Sequence, residues 1–275
     1  MRDSRPIRRC RPTLAYAAVA AAVLVASACG ARGGSGGGGE SGVADVDPGA
    51  GGASGSTVTV LAAASLTEPL TALARGYEAD HPGVQVRLSF GSSTTLARQV
   101  AEGAPADIVA LAGSTALAKL PPDAAQDGGR ATIARNAMEI ATPADNPGRI
   151  TALEDLSRPG LDVVLCAATV PCGAAADAVL SRAGVTPNVV SREVDVKATL
   201  AKVRLGEADA AVVYHSDVVS AGDAVHGVAI PAARNTTLDY PMLWLNRAEH
   251  TVGFAELVGS REGVTALTAA GFLAP

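Results

Sequence analysis

From Thr57 onward, short apolar runs alternate with stretches whose apolar positions recur every three or four residues. TVTVLAAA (57–64) is a continuous apolar run of strand length and predicts a buried strand. Behind it, Leu66, Leu70, Leu73, Ala74 and Tyr77 fall on one face of a helix. VQVRLSF (84–90) alternates as a half-buried strand does. Leu96, Val100 and Ala101 predict a second helix, and DIVALA (107–112) another buried strand. The scheme then repeats. DVVLCA (162–167) is a strand, and a helix covers about 173–183 and stops at Gly184. A strand follows over 190–194, then a helix over about 196–205 that stops at Gly206, and the strand AAVVY (210–214). Continuous apolar strands alternating with helices imply parallel sheets covered on both faces.

Two extended runs break the alternation, MEIATP (138–143) and YPMLWLN (240–246), and they bracket the second α/β unit. They predict strands that cross between two lobes and act as a hinge, with the C-terminal helices packed on the first lobe. The expected division is 57–137 with 241–275 for lobe I and 138–240 for lobe II. In open α/β sheets ligands sit beyond the carboxyl ends of strands, at helix N-termini. Four strand-to-helix junctions have that character: Ala63-Ala64-Ser65-Leu66-Thr67-Glu68, Gly91-Ser92-Ser93-Thr94-Thr95, Val170-Pro171-Cys172-Gly173 and Asp195-Val196-Lys197-Ala198. Each presents backbone N–H groups to which the helix dipole draws an anion. Ser65 and Glu68 have the spacing of a capping box, with Thr67 as an alternative cap. Lys197 reads as a solvated helix residue.

Composition narrows the chemistry. The chain has 275 residues, 48% hydrophobic and 18% charged, which excludes a wholly disordered chain. Residues 57–275 carry 16 Lys+Arg against 23 Asp+Glu, a net charge of −7, so no basic footprint for nucleic acid exists. Aromatics at 3% argue against stacking surfaces for sugars or single strands. His81 precedes Pro82 in a turn, His226 falls in a polar loop, and His215 follows Tyr214 near the expected cleft rim. With His250, they form no H-x-x-x-H pattern, so direct cation ligation is not expected. No G-x-S-x-G elbow marks Ser65 or Ser93 as a nucleophile. An enzyme is therefore not expected. The rival class is a thiol redox protein using Cys166 and Cys172, although C-x5-C is not a thioredoxin-type motif.

The N-terminus reads as an export signal. Arg2, Arg5, Arg8, Arg9 and Arg11 precede the apolar run LAYAAVAAAVLVA (14–26), which has the length of a signal-peptide core. Residues 1–28 are expected to be removed. Ala26-x-Ala28 fits ordinary cleavage, and Ala26-Ser27-Ala28-Cys29 resembles a bacterial lipobox, with Ala26 where Leu is usual. On that reading Cys29 is lipidated, and residues 29–56 tether the domain to the outer face of the cell membrane. Residues 30–56 hold 12 Gly, the composition of a flexible linker.

The runs AAASLTEPL, FGSSTTLARQVAEGAPADIVALA, VPCGAAA, EVDVKATLAKVRLGEADAAVVYHSD and LDYPM resemble those of the molybdate-binding proteins of bacterial ABC importers (ModA type). The resemblance covers about residues 57–275. It implies the type II periplasmic-binding-protein fold, in which two α/β lobes of mostly parallel sheet close on a ligand. It also implies capture of molybdate or tungstate without a cofactor, delivery to an importer permease with its ATPase, and a monomer. The ligand positions it implies are Ser65, Ser93, Cys172, Val196 and Tyr214. Backbone N–H groups of the first four would donate, with the hydroxyls of Ser65, Ser93 and Tyr214. Relatives often have Ala where Cys172 stands. A tetrahedral dianion offers only acceptors, so a shell of donors suits it, whereas hydrogenphosphate needs an acceptor. Sulfate or phosphate is the alternative ligand.

Cys10 would leave with the signal. Cys166 ends a strand and Cys172 opens a helix, so a bend over Ala167–Pro171 can bring them to disulfide spacing in an oxidising compartment. The alternative is two buried thiols.

Overall fold

The computed structural model describes residues 55–275, so the expectations for the export signal, Cys10, Cys29 and most of the linker lie outside the described residues. The elements run β1 (Ser56–Ala63), a 3-10 turn (Ala64–Leu66), α1 (Thr67–Asp80), β2 (Val84–Gly91), α2 (Ser93–Ala101), β3 (Ile108–Ala110), α3 (Ser114–Leu117) and β4 (Gly129–Pro143). They continue with β5 (Val163–Cys166), α4 (Pro171–Ala183), β6 (Val189–Glu193), α5 (Val196–Arg204), β7 (Ala210–Tyr214), α6 (His215–Ala221), β8 (Val225–Ala229), β9 (Thr237–Trp244), α7 (Glu249–Gly259) and α8 (Arg261–Ala269).

The strand order is β2-β1-β3-β9-β4-β7-β5-β6, with β8 also on β4. β1 pairs in parallel with β2 and β3, and β5 pairs in parallel with β6 and β7. Each parallel pair needs a crossover, which the intervening helices supply. The central crossover strands β9 and β4 are antiparallel to their neighbours and join the parallel strands of the two layers into a mixed sheet.

β4 also corrects the expectation for its length. MEIATP is only its second part. Gly129–Ala137 pairs with β9, and Met138–Pro143 pairs with β7 along one edge and β8 along the other. One strand thus passes from the first α/β layer into the second. Residues 129–137 include Arg130, Arg135 and Asn136, and these polar residues hid the strand from an apolar pattern. β8 was also missed: Val225-His-Gly-Val-Ala is short and interrupted by a glycine, and it puts His226 opposite Thr142 in a strand instead of in a loop.

Helix boundaries follow local chemistry. α4 opens with Pro171 at its first position, where a missing N–H costs nothing, and stops at Gly184 with φ +67°. Asp195 caps α5, its carboxylate accepting the Ala198 N–H at 2.9 Å. On α1 the predicted face is the buried one: Leu70, Leu73, Ala74 and Tyr77 join the core that holds Phe254 and Val258 of α7 and Leu267 of α8. A separate core fills the second layer, and Ala64 of the first layer packs into it.

Ile140 has no exposed surface, and in β4 it stands opposite Val212 of β7 and Val228 of β8. Ile140→Ala removes its side chain from a packed core. It is expected to lower unfolding free energy by about 2–5 kcal/mol, measured by urea denaturation.

Candidate functional site

The register of the sheets brings the helix starts together. Ala63 of β1 stands opposite Gly91 of β2, so the chain segments leaving these neighbouring strands place Ser65 and Ser93 side by side. Cys166 of β5 stands opposite Glu193 of β6, which sets the Cys172 and Val196 loops together in the same way. Tyr214 closes β7. All five residues line one cavity, together with Ala64, Ser92, Ala112, Val170, Pro171 and Asp195. It offers about 20 Å³ to the centre of a water-sized sphere. One water needs about 10–15 Å³ by that measure, so the cavity suits a small polyatomic ion better than an organic solute.

The donors are of two kinds. The first N–H groups of a helix have no acceptor within it. Ser93 is the first residue of α2 and Val196 the first of α5, Cys172 follows Pro171 at the start of α4, and Ser65 lies in the 3-10 turn before α1. The hydroxyls differ in how they are held. Ser93 Oγ accepts the Ala112 N–H at 2.8 Å, which leaves its own hydrogen free to donate. Ser65 Oγ is 2.9 Å from the Tyr240 hydroxyl. The Tyr214 hydroxyl is buried with no hydrogen-bond partner, and so is Ser92 Oγ. A native fold rarely leaves buried polar atoms unpaired, so a cavity lined by two of them is suited to a polar occupant. Burial, with Tyr240 and Asp217 adding to it, pushes the Tyr214 phenol well above its ordinary range, so it remains a donor.

Ser92 was not singled out from the sequence. The Gly91-Ser92-Ser93 run contains the signal, since either serine could face the loop. Gly173 is a second omission. A Cβ there would come within 2.0 Å of the Ala167 carbonyl oxygen, so only glycine lets α4 start this close to the end of β5. Cys166 and Cys172 are joined by a disulfide, with Cα atoms 5.8 Å apart. It ties the end of β5 to the first turn of α4. Both cysteines are buried, with 0% and 4% exposure.

Two expectations at the rim are corrected. Ser65 and Glu68 form no capping box. Ser65 bonds Tyr240 instead, Thr67 Oγ1 donates to the Ala64 carbonyl, and Glu68 turns to Lys197. Lys197 is therefore not a free solvated side chain. Its Nζ donates to both Glu68 oxygens at 2.9 Å and to Ser220 Oγ at 3.0 Å, and lies 3.4 Å from Asp217 Oδ1. The Lys197–Glu68 pair joins α5 of the second layer to α1 of the first. Thr94 Oγ1, donating to the Thr169 carbonyl at 3.2 Å, joins the layers again across the cavity. His215 does not line the cavity, and its Nδ1 is bonded to Glu139 Oε2.

A two-lobed α/β fold with a small, donor-lined cavity between strand ends is the architecture of a solute-binding protein. The chain belongs to the family of bacterial extracellular solute-binding proteins, which it matches over residues 58–273. It is similar to the molybdate-binding protein ModA of Mycobacterium tuberculosis, strain H37Rv, 35% identical over 222 residues that cover 80% of this chain and 85% of that one. ModA of Haemophilus influenzae is 31% identical over 198 residues, 67% of this chain and 76% of that one. Among solved structures, the periplasmic molybdate-binding protein of Azotobacter vinelandii shares the fold with a TM-score of 0.70 at 21% identity, covering 79% of this chain and 99% of that one. The sulfate-binding protein SubI of M. tuberculosis shares it with a TM-score of 0.67 at 20% identity, covering 79% and 86%. Among the described residues no helix is long and apolar enough to cross a membrane.

Asp217 is fully buried beneath Lys197, and burial raises its pKa from 3.8 to about 7, against the lowering pull of Lys197 and with a further push from Glu68. Between these values the unfolded chain loses the Asp217 proton while the folded protein keeps it. Stability from this group is therefore greatest at low pH and is lost as pH rises toward 7. Asp217→Asn is expected to gain on the wild type by more than about 1 kcal/mol from pH 4 to pH 8, measured by urea unfolding across that range.

Proposed function

We propose that this protein captures molybdate, and tungstate by the same chemistry, outside the cytoplasm and delivers it to an ABC importer. The observation that carries the reading is the cavity, lined by Ser65, Ser93, Cys172, Val196 and Tyr214, with the Tyr214 hydroxyl buried and unpaired in it. A dianion entering a domain of net charge −7 gains nothing from overall charge. It is held by first-turn N–H groups of Ser65, Ser93, Cys172 and Val196 and by the hydroxyls of Ser65, Ser93 and Tyr214, each bond worth about 1.5–3 kcal/mol. Ser92 Oγ adds a donor at the same wall. Asp195 also lines the cavity, and one of its carboxylate oxygens is engaged in capping α5.

The names of the curated relatives support molybdate over other oxyanions. Residues 57–137 with 241–275 form one lobe and 138–240 the other, with the strands β4 and β9 between them as the hinge. The Lys197–Glu68 and Thr94–Thr169 contacts hold the lobes together over the bound ion. The anion is the ligand to be transported, and the protein acts without a cofactor or a chemical step. Removal of residues 1–28 and lipidation of Cys29 would keep a monomeric domain at the membrane beside its permease.

Molybdate and tungstate are expected to raise the melting temperature by several degrees, because a ligand that binds only the folded state stabilises it. Sulfate and phosphate are expected to do far less, and equal shifts with sulfate would sink the molybdate assignment. Tyr214→Phe removes one hydroxyl donor and is expected to weaken molybdate binding by about 1.5–3 kcal/mol by calorimetry. Unchanged affinity would mean that the anion sits elsewhere.

The disulfide closes a ring over a sequence separation of 6, so it constrains the Cys172 loop more than the whole chain. The double substitution Cys166→Ala with Cys172→Ala is expected to cost more free energy of molybdate binding than of unfolding of the empty protein. Calorimetry and urea denaturation on the same preparation decide it.

A further inference from the structure

Behind Ser65 lies a chain of buried polar groups that a list of anion donors leaves unexplained. Ser65 Oγ and the Tyr240 hydroxyl are 2.9 Å apart. Asn136 Nδ2 donates to Ser216 Oγ at 2.7 Å and reaches the Tyr240 oxygen at 3.5 Å. Asn136 Oδ1 accepts the Ala137 N–H at 3.1 Å. Ser65, Asn136, Ser216 and Tyr240 are all buried, yet neither Asn136 nor Tyr240 lines the cavity.

A bond between two hydroxyls can run either way, and its direction is set by a neighbour that has no choice. The Ala137 N–H can only donate, so the atom facing it is the amide oxygen of Asn136, and Nδ2 can only donate. The Tyr240 oxygen is one of the two oxygens that Nδ2 reaches, so its own proton is directed away from Asn136. Ser65 Oγ lies within hydrogen-bond distance to accept it. Burial pushes the Tyr240 phenol well above its ordinary range, so the proton stays on it. With Ser65 Oγ taking that hydrogen from behind, its own O–H would be left for the cavity that Ser65 lines.

We propose that Asn136 and Tyr240 form a specificity-determining relay that orients the Ser65 hydroxyl as a donor, so that the cavity accepts tetrahedral oxyanions without a proton and rejects those that carry one. The proposal rests on the anion-binding reading given above. An oxyanion bearing a proton brings a donor into a wall of donors. Its O–H then loses the hydrogen bond it makes in water and gains none. Without the relay, Ser65 Oγ can turn its lone pairs to the cavity and accept that proton.

Selenate and hydrogenarsenate at mildly alkaline pH are dianions of nearly equal size that differ by one proton, so their affinity ratio isolates protonation from fit. Both are measured by displacement of molybdate from the wild type, Tyr240→Phe, Asn136→Leu and Tyr214→Phe. The wild type is expected to prefer selenate. Tyr240→Phe and Asn136→Leu are expected to shrink that preference by about tenfold or more. Tyr214→Phe, which removes a donor and frees no acceptor, is expected to weaken both anions in parallel. Melting temperatures show which variants are folded, and Tyr240→Phe preserves the ring packing if Asn136→Leu does not fold. An unchanged ratio in folded Tyr240→Phe overturns the relay and leaves the molybdate reading standing. A wild type that binds no oxyanion overturns both.

Discussion

The first N–H groups of a helix have no carbonyl to bond within the helix, and the structure depends on where that unmet demand is put. Here the starts of α2, α4 and α5, with the 3-10 turn ahead of α1, belong to residues that line a single cavity. The parallel pairs β1–β2 and β5–β6 make this possible, because parallel strands discharge their helices at the same edge of the sheet. β4 then sets one such edge against the other by running from the first layer into the second.

Other polar contacts engage the acidic side chains around that wall. Asp195 spends its carboxylate on the Ala198 N–H, and Glu68 is drawn out to Lys197. Asp217, buried beneath Lys197, has a pKa raised to about 7 by desolvation and is half neutral near physiological pH. The disulfide and Gly173 act on geometry instead. They bring the first turn of α4 against the end of β5, closer than any side chain at position 173 would allow.

Little of this is visible in a contact list arranged by energy. The interlobe pair Lys197–Glu68 is partly exposed, and such pairs contribute little to stability, about 0–1 kcal/mol. Its position matters more than its strength, since it spans the two layers at the rim of the cavity. The buried polar cluster of Ser65, Tyr240, Asn136 and Ser216 has the opposite character. Its members are costly to bury, and each is paired.

The sequence by itself determined the alternation of strands and helices, because apolar runs and helical periodicity are local and survive without knowledge of neighbours. It also marked the helix starts at Ser93, Cys172 and Val196 and the turn at Ser65 ahead of α1, since turns and helix starts are written in a few adjacent residues. It did not reveal that β4 begins at Gly129, that His226 lies in a strand, or that Glu68 leaves its capping position for Lys197. Each of these depends on a partner distant in the chain: β9 for the polar half of β4, β4 for β8, and α5 for Glu68. Tyr240 and Asn136 show the same limit. A buried tyrosine announces that its hydroxyl needs a partner, but only the packing of β9 against β4 decided that the partners are Ser65 and Asn136, because hydrogen-bond direction is a property of the assembled network and not of any one residue.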